Sequence, residues 1–218
     1  MVTLSEENYL KAIYHLGKQG SEAVSTNAIA EQMETKASSV TDMIKKLADK
    51  NLANYVKYQG VSLTNEGRLA AASVVRKHRL WEVLLVEKLN FSWDEVHEVA
   101  EQLEHIKSEK LINELDAFLN YPKEDPHGDP IPDKHGNINK TEKILLSQAM
   151  VNNTCICVGV KDSSTDFLKY LDKQQIALGT TIRVISKETF DESMAIEVNK
   201  VPINISRTVS NNIYIKAL

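Results

Sequence analysis

TNAIAEQMETKASSVTDMIKKLADKNLANYVKYQGVSLT, residues 26–64, carries the clearest structural pattern in the chain. A short helix is expected from about Thr26 to Met33, then a turn at Glu34–Ala37. From about Ser38 to Lys50, Val40, Met43, Ile44 and Leu47 recur at helical spacing and predict one buried stripe. That leaves Ser38, Ser39, Thr41, Asp42, Lys45 and Lys46 on the outward face, with Lys36 just before it. Asn51 suits a left-handed stop. Residues 53–64 hold two β-rich runs around Gln59-Gly60, a hairpin pattern with Lys57 and Tyr58 at its tip. Helix, tight turn, helix and hairpin follow one another in a winged helix-turn-helix, whose second helix enters the DNA major groove. Short hydroxyls at the positive end of that helix suit phosphates and base edges, and Asp42 can accept from a cytosine amino group. The plainer reading of this segment is a three-helix packing unit with a solvated lysine face.

Outward from this stretch, the chain is mainly helical up to residue 120. Tyr9, Leu10, Ile13 and Leu16 predict a first helix from about Ser5 to Lys18, capped by Thr3 or Ser5. Thr64 is positioned to cap a long helix to about Leu89. Ser92 with Glu95 predicts a capping box for a helix through Ile106. Ser108 begins one more, ending near Asn120. Residues 121–137, YPKEDPHGDPIPDKHGN, contain four of the five prolines and form a connector rather than a helix or central strand. Beyond it, TCICVGV, TTIRVISK, MAIEV and NIYIKAL are short β-rich runs, with a brief helix at about Thr165 to Asp172. This texture predicts a small β-barrel. The expected class is therefore mainly α with β, divided at 1–72, 73–140 and 141–218.

Net charge is −4, with no excess of basic residues over the whole chain. Its distribution is uneven: about neutral over 1–72, about −5 over 73–140 and about +1 over 141–218, while Lys36–Arg68 carries about +3. An acidic middle suits a cation, and a basic patch suits phosphate. No apolar run approaches the roughly 20 residues of a membrane span, and the N-terminus lacks a signal-peptide profile. A cytoplasmic protein is the expectation. Cys155 and Cys157 are two apart on one predicted strand and so share a face, a poor arrangement for a disulfide.

The chemistry is concentrated in WDEVHEVAEQLEHI, residues 93–106. On an ideal helix, Val96, Val99, Ala100, Leu103 and Ile106 form one apolar stripe. His97, Glu101, Glu104 and His105 then fall within an arc of about 100° beside it. Carboxylates so close repel one another, and the imidazoles beside them shift in pKa, unless a cation joins them. In RKHRLWEVLL, His78 and Glu82 stand one helical turn apart. Two such faces on adjacent helices can enclose a two-metal site. The donors are nitrogen and oxygen without sulfur, which favours Mn(II) or Fe(II), with Zn(II) also able to bind in vitro. His15, His127 and His135 lack such company and are expected at the surface or in loops.

SEENYLKAIYHL, AIAEQMETKASSVTDMIKKLADKNL, GVSLTNEGRLAA, RKHRLWEVLL, HEVAEQLEHI and PHGDPIP, in this order, resemble the diphtheria toxin repressor family of metalloregulators over nearly the whole chain. The β-rich end is similar to that family's SH3-like, FeoA-type domain. The resemblance implies a homodimer formed through the middle helices, binding to palindromic double-stranded operator DNA, and two neighbouring metal sites. His78, Glu82 and His97 match the ancillary site. Asp166 aligns with a further ligand from the SH3-like domain, and Ser163 stands where another carboxylate is usual. Glu101, Glu104 and His105 match the primary site. Iron-sensing relatives carry Cys where Glu101 stands and manganese-sensing relatives carry Glu, so Mn(II) is the expected corepressor, with Fe(II) the alternative. Asn8 replaces the Met of the iron type and the Asp of the manganese type, and Lys11 replaces a carboxylate of the latter. The expected function is metal-dependent repression of metal-uptake genes. The rivals are a di-metal carboxylate–histidine hydrolase or oxidase and a metal-buffering or interaction module. No second inward Glu-x-x-His motif, nucleophile elbow or phosphate loop supports the enzyme.

Overall fold

The computed structural model describes residues 2–56, 59–139 and 142–218. It forms two compact units. One holds the chain up to Trp81, Glu101–Phe118 and Ile131–Ile138, and the other holds Glu82–Ala100, Leu119–Pro130 and the chain from Asn139.

In the first unit, α1 (Leu4–Leu16) starts at a capping box. The Thr3 hydroxyl accepts from the Glu6 amide, and the Glu6 carboxylate accepts from the Thr3 amide. Glu6 also pairs with Lys50 at 2.7 Å. Helices α2 (Thr26–Gln32) and α3 (Ala37–Asp49) follow, separated by a turn in which Glu34 is left-handed. Val40, Ile44 and Leu47 are fully buried, and Met43 is half-buried against the same cluster as Leu10, Ile13, Ile29 and Val61. Asn51 takes the left-handed conformation expected of a stop, at φ 57°. β1 (Ala53–Val56) pairs antiparallel with β2 (Gly60–Leu63), and Val24 bridges to Val61, giving the wing a third short backbone partner.

The long helix α4 (Asn65–Leu89) begins at Thr64, whose hydroxyl accepts from the Gly67 amide and donates to the Asn51 carbonyl. Here a glycine is required by close approach. A Cβ on Gly67 would lie 1.8 Å from the Leu52 carbonyl oxygen.

Helix α5 (Val96–Leu103) is shorter than its sequence pattern predicts. The Glu95 carboxylate accepts from the Ser92 amide at 3.2 Å, yet residues 93–95 form turns and the helix starts only at Val96. It stops at Leu103, so Glu104 and His105 lie in the turn beyond it. α6 (Glu109–Phe118) completes the helical part.

In the second unit, β3 (Ile144–Leu145), β4 (Thr154–Val160), β5 (Thr181–Lys187), β6 (Met194–Val198), β7 (Val201–Ile205) and β8 (Ile213–Ala217) form an antiparallel sheet in the order β3-β8-β4-β5-β6-β7. It is the expected SH3-like segment. Strands β3 and β7 were missing from the sequence reading; Pro202 lies in β7, an edge strand, where a missing donor is tolerated. α7 (Thr165–Lys173) packs Leu168 and Leu171 into the core, and α8 (Arg207–Ser210) precedes β8. Cys155 and Cys157 are free and buried on the core face of β4. Burial pushes the Cys155 thiol up to about 11. No helix among the described residues is long and apolar enough to cross a membrane.

Candidate metal centre and nucleic-acid interface

The buried stripe of α3 turns Ser38, Ser39, Asp42, Lys45 and Lys46 outward, and all five are exposed, as is Lys36. Thr41 is half-buried and donates its hydroxyl to the Ala37 carbonyl at 2.9 Å, so it is partly spent on the helix itself. Asp42 lies 3.8 Å from Lys45, one turn away, and offsets part of the positive face. Lys57 and Tyr58, expected at the wing tip, lie outside the described residues.

α5 ends at Leu103, so His97 and Glu101 stand one turn apart on the helix, while Glu104 and His105 follow it in a turn. In the first unit, Glu104 is the centre. Its side chain is 1% exposed. One carboxylate oxygen lies 2.6 Å from His78 Nδ1, and the Lys11 ammonium lies 2.8 and 2.9 Å from the two oxygens. Burial, the largest influence, pushes the Glu104 carboxyl up. The His78 hydrogen bond and the Lys11 charge together outweigh it and hold the group below the usual carboxylate range. Lys11 Nζ also lies 3.4 Å from Glu101, whose side chain is half exposed. His105 Nδ1 is 2.6 Å from Glu7. Glu7 and Lys11 are one turn apart on α1, so α1 is tied twice to residues 101–105. On the same helix the Asn8 side-chain oxygen is buried with no hydrogen-bond partner among the described residues.

In the second unit, Glu82 is 2% exposed and presents one oxygen to His97 at 3.5 Å and the other to His127 at 3.6 Å. His78 precedes Glu82 by one turn of α4. His127 corrects the sequence reading: it is buried, not a surface histidine. Its Nε2 donates to the Trp93 carbonyl at 2.8 Å and its ring stacks on the Trp93 ring. Burial, the largest influence, pushes the His127 pKa down, but Glu82, Asp125 and the Trp93 carbonyl raise it to about 9. The local cause is a turn in which Asp125 accepts from the His127 and Asp129 amides, folding the connector inward. A Cβ on Gly128, at φ 81°, would lie 2.1 Å from the Val158 carbonyl oxygen, so the loop is pressed onto β4. The signal was present in the sequence: an Asp two residues before a His-Gly pair. Glu82, Asp125 and His127 form a buried group of donors close enough to share an ion. Asp166 is exposed on the first turn of α7, and among the described residues it joins neither Glu82 nor His97 in such a group. His15 and His135 are exposed, as expected.

A divalent cation fits these donors. Among the described residues the Asn8 oxygen is a buried acceptor without a donor, on the helix that brings Glu7 and Lys11 to His105 and Glu104, and the donor set is carboxylate and imidazole without sulfur.

Comparison with known proteins agrees with this reading along the chain. Residues 1–61 match the N-terminal DNA binding domain of iron dependent repressors, residues 64–133 their metal binding and dimerisation domain, and residues 144–217 the FeoA domain. The iron-dependent repressor IdeR of Mycobacterium leprae is 36% identical over 126 residues, 58% of this chain and 54% of that protein. The match thus spans about half the length of that curated relative. Among solved structures, a manganese-dependent transcriptional repressor in complex with manganese is similar with a TM-score of 0.87 and 32% identity, covering 98% of this chain and 100% of the other. The manganese regulator SloR is similar with a TM-score of 0.74 and 36% identity, covering 98% of each chain. With exposed lysines on its second helix-turn-helix helix and a carboxylate–imidazole cluster around Glu104, the chain belongs to the family of metal-dependent transcriptional repressors that includes the iron-dependent and diphtheria toxin repressors, a family of regulators and not of enzymes.

Proposed function

We propose that this protein is a Mn(II)-responsive repressor that binds palindromic operator DNA as a homodimer in the cytoplasm and controls metal-uptake genes. The observation that carries the reading is the placement of α1 against the 101–105 segment, marked by the contacts of Lys11 with Glu104 and Glu7 with His105, with the buried Asn8 oxygen on the same helix. It couples the first helix of the DNA-reading module to the acidic face. The working division is a DNA-binding part over 1–72, a metal and dimerisation part over 73–140 and the SH3-like part over 141–218.

Asn8, Glu101, Glu104 and His105 would hold one ion, and His78, Glu82 and His97 another, with Asp166 an additional donor in the assembled protein. When bound, the metal supplies positive charge that neutralises the carboxylates and joins donors from separate elements. Glu104, fixed by His78, keeps its charge aimed at that position. His127 braces Glu82 from the side opposite His97, as an outer partner that orients a ligand. With α1 fixed, the second helix of each protomer holds its exposed hydroxyls and lysines at a separation of about one DNA turn, roughly 34 Å. DNA affinity and metal affinity then rise together by one factor.

The carboxylate of Glu101 and the manganese-dependent neighbours favour Mn(II). Fe(II) is the second reading, favoured by the iron-dependent relatives. A panel of metals titrated into an operator mobility-shift assay separates the two, and equal affinity in chelator and in every metal would sink both. Replacing Lys45 and Lys46 by alanine is expected to weaken operator binding at least tenfold and flatten its salt dependence. Calorimetric metal binding should remain unchanged. A variant that loses metal and DNA together would count against Lys45 and Lys46 as phosphate contacts.

A further inference from the structure

The Lys11 ammonium lies where the carboxylates of the primary site converge. Three oxygens surround it: both of Glu104, at 2.8 and 2.9 Å, and one of Glu101, at 3.4 Å. Glu104 is enclosed, whereas Glu101 faces solvent on one side. The Lys11 side chain is 17% exposed, so its head is held inside while an outlet to water stays open. Ammonium and divalent metal need the same lone pairs. An ammonium contacts oxygen at about 2.8 Å through hydrogen bonds. A small divalent ion contacts it at about 2.1 Å and requires the lone pairs themselves.

We infer that Lys11 is a tethered counter-cation of the primary site, which divalent metal must displace before it can bind Glu104, and that this competition sets the metal concentration at which the protein responds. The inference rests on the metal reading above. One positive charge against two carboxylates leaves the site negative, so it still attracts a divalent ion. The ion and the ammonium cannot share Glu104, because their charges repel and both of its oxygens already face the ammonium. The four-carbon stem lets the head swing out past Glu101 without moving α1. In metal-free protein the same ammonium relieves carboxylate repulsion and keeps α1 attached. Lys11 therefore has two effects: it weakens metal binding, and it narrows the structural difference between the metal-free and metal-bound forms.

The test uses the full chain and Mn(II) alone. Lys11→Met keeps most of the stem and removes the charge. Calorimetric titration is expected to give Mn(II) affinity at least tenfold higher for Lys11→Met than for the wild type. Unchanged or weaker binding would overturn the inference. A second measurement needs no variant. Acylation of lysines, read by mass spectrometry, is expected to label Lys11 at least fivefold faster in Mn(II) than in chelator. Lys18, exposed on the same unit, provides the internal reference and should not change. If the wild type takes up Mn(II) while Lys11 labelling stays the same, the inference fails and the metal reading stands. If neither protein takes up Mn(II), both fail.

Discussion

Replacing Glu104 by alanine is expected to lower primary-site metal affinity by about 100-fold or more and to abolish the metal response of operator binding. Loss of an outer partner of a metal ligand already costs about 10- to 100-fold. Glu104 is assigned here as a ligand itself. The same change acts on the metal-free protein. It removes the acceptor of both Lys11 and His78 from a position with almost no exposure. Breaking a buried charged pair leaves its partner unpaired at a cost of about 3 kcal/mol or more. Chemical denaturation in chelator reads this second effect separately from the first. Glu104→Gln keeps the volume and one acceptor, so it should restore much of the stability while metal affinity stays low. A Glu104→Gln protein with wild-type metal response would remove Glu104 from the ligand set.

Gly67→Ala is expected to produce the largest loss of stability among single-methyl changes. The added carbon would meet the Leu52 carbonyl oxygen at 1.8 Å and its carbon at 2.8 Å, and both are backbone. No side chain can turn aside to make room. The first turn of α4 and the segment after α3 would have to separate by more than 1 Å, disturbing the Thr64 links to Asn51, Leu52 and Gly67. Overpacking of this kind costs about 3 kcal/mol. For a chain of this length, that is a fall of about 10 °C in Tm. A midpoint within 2 °C of the wild type would contradict the close backbone approach.

The helical half of the fold was legible because its signals are local. Thr3 and Thr64 cap, Asn51 stops, Gly60 turns the wing, and the stripe of α3 repeats at 3.6 residues. The β-rich end was legible where branched residues cluster. It was not legible at β3, which is two residues long, or at β7, where Pro202 masks an edge strand. The site was legible in composition but not in arrangement. Nothing resembling Gly or Pro marks the end of α5 at Leu103, so an ideal helix carried Glu104 and His105 past the point where α5 stops. His127 was misplaced because proline and glycine around it indicate a loop, and loops usually lie in water. Here the Asp125 turn and the close approach of Gly128 to β4 bury it. Lys11 and Glu7 could be placed on α1 from sequence, but their partners lie about 90 residues away and emerge only from the fold.

The most direct test is the structure of the full chain crystallised with Mn(II), with the ion located by its anomalous scattering. A manganese ion bonded to Glu104 and His105, with the Asn8 oxygen turned toward it and the Lys11 head withdrawn, is the predicted result. Crystals in which Lys11 still clasps Glu104 and no anomalous peak lies against that carboxylate would contradict the account.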